Sequence, residues 1–245
     1  MKNIKTNFGK SKVNQSQKTK MVQDIFTDVT KKYDLMNNLM SFGTHHIWKK
    51  KLIYLMNIQP NDYILDVGAG TGDITHLINK YYSKVSIIST DLNLNMLEYG
   101  KKKTKNKLNK IHWINCNAEN LPFHSNTFDK YIISFCLRNV TFLNKTLAEA
   151  LRVLKPGGVF YCLEFSTPTS SLIKNIYNFY KSNIIPLIGE NVAKNKIAYK
   201  YLSESISVFP KQDVLLSKLD QEGFNNTSLI NLFNGIVSIH KGFKI

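Results

Sequence analysis

The chain has 245 residues, 43% of them hydrophobic, enough for one sizeable α/β domain with a single core. Its formal net charge is +16 at pH 7, but the basic residues are almost all lysine, with only Arg138 and Arg152 as exceptions; the charge reads either as composition drift or as a preference for an anionic surface. No apolar run reaches the roughly 18–20 residues that cross a bilayer, the lysine-rich start lacks the apolar region of a secretory signal, and Cys116, Cys136 and Cys162 are too scattered for a disulfide framework or a zinc pair, so they read as buried thiols of a reducing cytoplasm.

In chain order, residues 1–20 read as a disordered basic tail and residues 21–245 as a single domain. Residues 21–59 are helical in pattern and precede the first strand, as a lid would. Tyr63–Val67 predicts a strand, with Ile74, Leu77 and Ile78 at helical spacing after it. Val85–Thr90 predicts a second strand, with Asn93 as the cap of the next helix. Ile111–Cys116 is a third. Lys130–Phe135 is a fourth, followed by a helix with Leu147, Leu151 and Leu154 on one face. Lys155-Pro156-Gly157-Gly158 predicts a turn and Val159–Phe165 a fifth strand. Residues 170–208 form an aromatic, lysine-studded insertion. From Asp213 the chain reads as a helix and then a hairpin through Asn234-Gly235. The alternation predicts an α/β fold: a doubly wound, mostly parallel, seven-stranded, Rossmann-like sheet. The N-terminal helical lid and the helical insertion after strand 5 would cover a site at the carboxyl ends of the strands.

The strongest motif is Asp66-Val67-Gly68-Ala69-Gly70-Thr71-Gly72-Asp73, in which a buried strand ends in an acid and a glycine turn opens a helix. Glycines there permit positive φ and close backbone approach to a ligand. A dinucleotide loop is spaced G-x-G-x-x-G, whereas this one is G-x-G-x-G. Its flanking carboxylates would repel a pyrophosphate and suit an ammonium and a sulfonium. S-adenosylmethionine carries both and no phosphate. Asp91 ends the second strand, placed to accept from ribose hydroxyls. Asn117 and Ala118 follow the third strand, where a side-chain amide and a backbone N–H can read an adenine edge. Ser134 ends the fourth strand and would lie under the cofactor. The cofactor set is therefore Asp66, Gly68, Gly70, Thr71, Asp91, Asn117, Ala118 and Ser134. No cluster suits a metal. An RNA methyltransferase is disfavoured: there is no Asn/Asp-Pro-Pro-aromatic motif after the fourth strand and no Pro-Cys nucleophile, so no nucleic-acid partner is expected. A small-molecule O-methyltransferase and a non-catalytic cofactor-binding subunit remain the other readings.

Taken together, Lys32-Tyr33-Asp34-Leu35-Met36-Asn37, Met40-Ser41-Phe42-Gly43, Asn117–Phe123, Ile133–Val140, Arg152–Gly158 and Tyr201–Ile206 resemble the ubiquinone/menaquinone biosynthesis C-methyltransferase family, of the class I S-adenosylmethionine-dependent type. The resemblance runs from about Phe26 to the C-terminus. It implies methylation of a ring carbon of a polyprenylated benzoquinol or of a demethylmenaquinol. The chain has Cys136 where the family usually has glycine, and His45-His46 where it has His-Arg; both departures are expected on the substrate side, away from the cofactor motifs.

Carbon methylation needs an electron-rich ring aligned with the methyl donor, a cationic group to stabilise a phenolate, and a proton acceptor. Arg138 and Asn139 are expected to bind a quinol oxygen, because arginine is a fixed, permanently charged donor, with a structural salt bridge as the plainer role for Arg138. Tyr33 and Asp34, from the lid, would complete the catalytic pocket. His45 is a further candidate acceptor and Glu164 a supporting carboxylate. Ile176, Tyr177, Phe179, Tyr180, Ile184, Ile185, Leu187 and Ile188 would line an opening for the prenyl tail, and Lys174 and Lys181 would meet anionic headgroups. The expected setting is a cytoplasmic or mitochondrial-matrix protein, peripheral to the inner membrane, as a homodimer or within a quinone-biosynthesis complex.

Overall fold

A computed structural model describes residues 5–104, 109–185, 187 and 195–245; Ile188 lies outside them. Strands β1 (Lys5–Phe8) and β2 (Ser11–Asn14) form a hairpin and lead into helices α1 (Gln15–Val29), α2 (Tyr33–Ser41) and α3 (His45–Leu55). The expectation of a disordered tail therefore fails for residues 5–20. The hairpin is held by polar and aromatic contacts rather than by an apolar face of its own. The Phe8 ring stacks on Tyr201 at 4.6 Å, Lys10 N–H donates to Glu204 at 3.3 Å, and Lys18 Nζ donates to the Val140 carbonyl at 2.5 Å.

The main unit follows the expected alternation: β3 (Tyr63–Val67), α4 (Asp73–Tyr81), β4 (Ser86–Asp91), α5 (Leu94–Lys103), β5 (Lys110–Asn115), β6 (Phe128–Ser134), α6 (Leu143–Val153), β7 (Leu154–Phe165), α7 (Ser171–Phe179), α8 (Lys196–Val208), α9 (Gln212–Glu222), β8 (Asn225–Leu232) and β9 (Val237–Phe243). The seven-stranded sheet has the order β5-β4-β3-β6-β7-β9-β8. Its strands run parallel except β9, which is antiparallel to both neighbours. Central strands buried on both faces need continuous apolar runs, and β3 and β6 supply them: Ile64 and Leu65, then Tyr131, Ile132 and Ile133, have no exposed surface. Leu147, Leu215 and Leu219 of α6 and α9 pack on one face, and Leu52, Ile74 and Ile78 of α3 and α4 on the other.

One turn is placed differently from its expectation. Leu154 pairs with Phe128 and begins β7 instead of closing α6, and the register jumps so that Val159 pairs with Lys130. The Lys155–Gly158 turn is an excursion within the strand, with Gly157 at φ +81°. No helix among the described residues is long and apolar enough to cross a membrane.

The sheet core sets the stability. Phe160 is fully buried between Tyr131 and Phe224, with ring centroids 5.4 and 5.1 Å away. Phe160→Ala is expected to lower the unfolding free energy by about 3–5 kcal/mol, read as a shift of the urea midpoint.

Candidate active site

Sheet order reverses between β3 and β6, and ligands of open α/β sheets bind at the carboxyl ends of strands beside such a switch point. The loop after β3 is built for close approach: Gly68, Gly70 and Gly72 lie at φ +66°, +56° and +83°. A Cβ on Gly68 would stand 2.1 Å from Cys136 Sγ. The chain after β6 thus presses directly on the glycine loop. Cys136 also borders the same cavity as that loop, so the expectation that this departure lies away from the cofactor motifs is corrected. Asp91 is fixed by two backbone donors, Gly70 N–H at 2.8 Å to Oδ2 and Asn93 N–H at 2.7 Å to Oδ1. Burial raises its carboxyl above the usual range, with those N–H bonds opposing.

Three adjoining cavities surround this junction. The first encloses about 790 Å³, its open mouth included, between Gly68, Gly70, Asp91, Met96, Asn117 and Ala118. Its roof is Thr19, Val22, Gln23 and Phe26 of α1. The second, about 320 Å³, lies against Asp66, Gly68, Thr71, Asp73 and Ser134. Burial pushes the Asp66 carboxyl up to about 7, although the Thr75 hydroxyl donates to it at 2.7 Å. Burial opposes ionisation of Asp73 as well, but Lys49 at 2.5 Å and the more distant Lys103 hold it below its ordinary range. The Ser134 hydroxyl is buried with no hydrogen-bond partner in the protein. The third cavity, about 580 Å³, sits beneath the lid and is mostly apolar, with Met36, Met40, Phe165 and Leu202 beside Arg138 and His45. Tyr33 and Phe135 line all three.

Asp66, Gly68, Gly70, Thr71, Asp91, Asn117, Ala118 and Ser134 all border the first two cavities, which adjoin at the glycine loop. Asn117 Oδ1 accepts from Glu119 N–H at 2.9 Å, leaving the side-chain N–H₂ for a ligand. The proposed catalytic group is less unified. Arg138 reaches the third cavity, but its Nη1 donates to Glu164 at 2.7 Å and to the Phe135 carbonyl at 2.6 Å. Burial disfavours its charge, and Glu164, with smaller contributions from Tyr33 and Tyr201, more than restores it. Asn139 borders the first cavity instead of the third, and its Oδ1 accepts from the Tyr201 hydroxyl at 3.0 Å. Asp34 lines none of the three cavities. It clasps the lid to the body, accepting from the Thr71 hydroxyl at 3.1 Å and from Lys103 at 2.6 Å. In the insertion, Ile176, Phe179 and Leu187 are exposed and Tyr177 and Ile185 buried, and none lines the third cavity. Sequence reasoning expected a lid over residues 21–59 without singling out Val22, Gln23, Phe26 or Lys49 within it, and it missed Phe135. Of these, only Phe135 carried a signal, as the residue ending the fourth strand beside Ser134.

Residues 12–244 match the model of the ubiE/COQ5 methyltransferase family. The chain belongs to that family. The ubiquinone/menaquinone biosynthesis C-methyltransferase UbiE of Rickettsia prowazekii is 46% identical, over 98% of this chain and 99% of the relative. The enzyme of the same name from Wigglesworthia glossinidia brevipalpis is 44% identical over 98% and 97%. Among solved structures, an S-adenosylmethionine-dependent methyltransferase from Thermotoga maritima superposes with a TM-score of 0.63 at 18% identity, covering 91% of this chain and 100% of that one. A phosphoethanolamine N-methyltransferase from Haemonchus contortus, solved with S-adenosyl-L-methionine, gives 0.58 at 14% identity, over 80% and 52%. At such identities the likeness establishes the fold: this family member has the class I methyltransferase architecture.

The close approach of Cys136 leaves no room for a side chain at Gly68. Gly68→Ala is expected to destabilise the protein by at least the ~1–2 kcal/mol of a positive-φ side chain, plus the clash. Combining it with Cys136→Gly should recover the clash but not the φ cost. A double-mutant cycle by thermal melting should show a coupling of about 1 kcal/mol or more.

Proposed function

We propose that the chain transfers a methyl group from S-adenosylmethionine to a ring carbon of a polyprenylated benzoquinol or a demethylmenaquinol. The observation that carries this is the meeting of two unlike sites at Tyr33 and Phe135: a glycine loop ringed by carboxylates, and an apolar cavity with one buried arginine. The names of the curated relatives support the substrate class.

The residues present fit the cofactor. Asp66 and Asp73 supply negative charge for an ammonium and a sulfonium. The partnerless Ser134 hydroxyl offers a hydrogen bond in the same small cavity. Asp91 keeps free lone pairs for a ribose diol, and Asn117 with Ala118 borders the space for an adenine. When bound, the cofactor supplies an electrophilic methyl on a thioether leaving group. The protein does the rest. Tyr33 and Phe135 set the line between donor and ring. The lid excludes water, which strengthens every charge inside. Arg138, kept protonated by Glu164, stabilises negative charge that develops on a ring oxygen. Arg138→Lys keeps the charge and loses the planar fork. Turnover on a short-chain demethylmenaquinol is expected to fall about a hundredfold with cofactor affinity unchanged; near-normal turnover removes that role. The proposed function is tested by mass spectrometry of quinones from cells lacking the protein, which should accumulate the unmethylated ring.

A long prenyl chain has to come from a lipid phase. Leu172, Ile176 and Phe179 recur along one face of α7 and are 69, 62 and 62% exposed, with Phe42 at 77% on the lid. Together with the positive charge, this face supports reversible docking on anionic membranes. Flotation with anionic vesicles at low salt should carry the protein upward, and Ile176→Glu with Phe179→Glu should abolish it.

Because burial holds Asp66 near 7, it is partly protonated at neutral pH, and a cationic ligand favours its ionised form. Cofactor affinity should rise with pH from about 6 to 8, with proton release on binding. Asp66→Asn should bind more weakly and lose this component. The cofactor's own amino group, which titrates near about 8, affects both proteins alike, so the difference between them in calorimetry isolates Asp66.

A further inference from the structure

Two buried polar atoms belonging to residues of the third cavity have no hydrogen-bond partner in the protein: His45 Nδ1 and Arg138 Nε. They are opposite in kind. Arg138 Nε carries a hydrogen and can only donate. His45 is set by its neighbour: its Nε2 lies 3.0 Å from Asn38 Oδ1, an acceptor, so the hydrogen of a neutral ring sits on Nε2 and Nδ1 keeps a bare lone pair. Burial, reinforced by Lys49 one turn along α3, keeps the ring neutral down to about 4. The Lys49 ammonium itself is engaged by Asp73. The cavity is otherwise mostly apolar, so an unmatched acceptor there costs about 1–3 kcal/mol unless a ligand supplies a donor.

The residues that carry these two atoms border one cavity, and a fixed acceptor with a fixed donor complements a ring that carries both a hydroxyl and a second polar oxygen. We propose that His45 makes the site selective for the reduced form of its ring substrate, accepting a hydrogen bond from a ring hydroxyl that a hydroquinone has and a quinone lacks, while Arg138 Nε donates to an oxygen of the same ring. This rests on the quinol assignment above and names the side chain that enforces it. A quinone presents only acceptors. It satisfies Arg138 but leaves the His45 lone pair facing another lone pair, and sites built to hydrogen-bond a hydroxyl reject analogues without one. The same selection serves the chemistry, because only the hydroquinone ring is electron-rich enough to take a methyl cation equivalent.

The test is anaerobic equilibrium dialysis of the full-length protein, loaded with S-adenosylhomocysteine, against geranyl-methoxyhydroquinone and the matching quinone. The wild type should prefer the hydroquinone at least about tenfold. His45→Phe should bring the two affinities within about threefold of each other. His45→Asn, whose carbonyl can stand where Nδ1 stands, should restore most of the preference. If His45→Phe fails to fold, Asn38→Leu leaves the imidazole in place but removes the acceptor that fixes its tautomer, and the preference should fall by a smaller factor. Nitrogen-15 spectra should show His45 Nδ1 unprotonated in the wild type. Equal wild-type affinities, or a preference unchanged in His45→Phe, overturns the assignment to His45 while leaving the methyltransferase reading intact. If neither ring form binds a protein that still binds S-adenosylhomocysteine, the quinol assignment falls, and this inference with it.

Discussion

At the end of β6 the chain has to leave the sheet, press on the glycine loop and still face a substrate, and it does so through Phe135, a non-glycine residue at φ +54°. Such a backbone costs on the order of 1–3 kcal/mol and persists only where the surroundings over-determine it. The surroundings here are Arg138 and Glu164. Arg138 Nη1 donates to the Phe135 carbonyl at 2.6 Å, while Glu164 accepts from the same guanidinium group, from Arg138 N–H at 3.3 Å and from Phe165 N–H at 2.9 Å. One buried ion pair thereby ties the carboxyl ends of β6 and β7 together and fixes the turn on which all three cavities meet.

A fully buried pair is a poor source of net stability. Desolvation consumes most of the Coulombic attraction, and an apolar pair of the same volume is often at least as stable. Burial accordingly raises the Glu164 carboxyl despite the arginine beside it. Geometry explains the pair better than energy does. Removing either partner leaves an uncompensated buried charge, at about 3–5 kcal/mol, and frees Phe135 to relax toward the common backbone region. The salt-bridge role and the proposed active-site role of Arg138, which look like alternatives in sequence, would be served by different nitrogens of one guanidinium group: Nη1 holds the turn, and Nε has no partner in the protein.

The sheet was legible because its signals are local and redundant. Apolar runs bounded by turn residues locate β3, β4, β5 and β6 to within about two residues. The glycine loop, Asp91, Asn117 and Ser134 could be placed because each follows a strand, and parallel strands bring their carboxyl ends to one edge. What stayed hidden depends on contacts between distant segments. Residues 5–20 are largely polar, and they are held in place by Tyr201, Glu204, Val140 and Thr141, more than a hundred residues away. The burial of Lys18 has no sequence signature, since lysine is almost never buried. Asp34 looked catalytic from its place in a specific motif. Its partners Thr71 and Lys103, on separate elements, make it a clasp.

The lid also explains how a closed site can be loaded. Its helices pack Ile25, Val29, Met36 and Met40 on Tyr199, Leu202 and Ile206 of α8. On the sheet side they are held by polar contacts at the rim: Asp34 with Thr71 and Lys103, Gln23 Nε2 with the Leu92 carbonyl, and Asn93 Nδ2 with the Gln23 carbonyl and the Thr27 hydroxyl. Each is worth about 0.5–1.5 kcal/mol net, whereas the sheet beneath is held by interlocked apolar side chains. Parting α1 and α2 from the sheet side is thus less costly than any movement of β3 or β6, whereas parting them from α8 would expose buried apolar surface. The first cavity, roofed by Val22 and Phe26, and the third, bordered by Met36 and Met40, are covered by the same two helices. On the proposed reading one closure would enclose both ligands, with Tyr33 and Phe135 bordering the cavities where they adjoin.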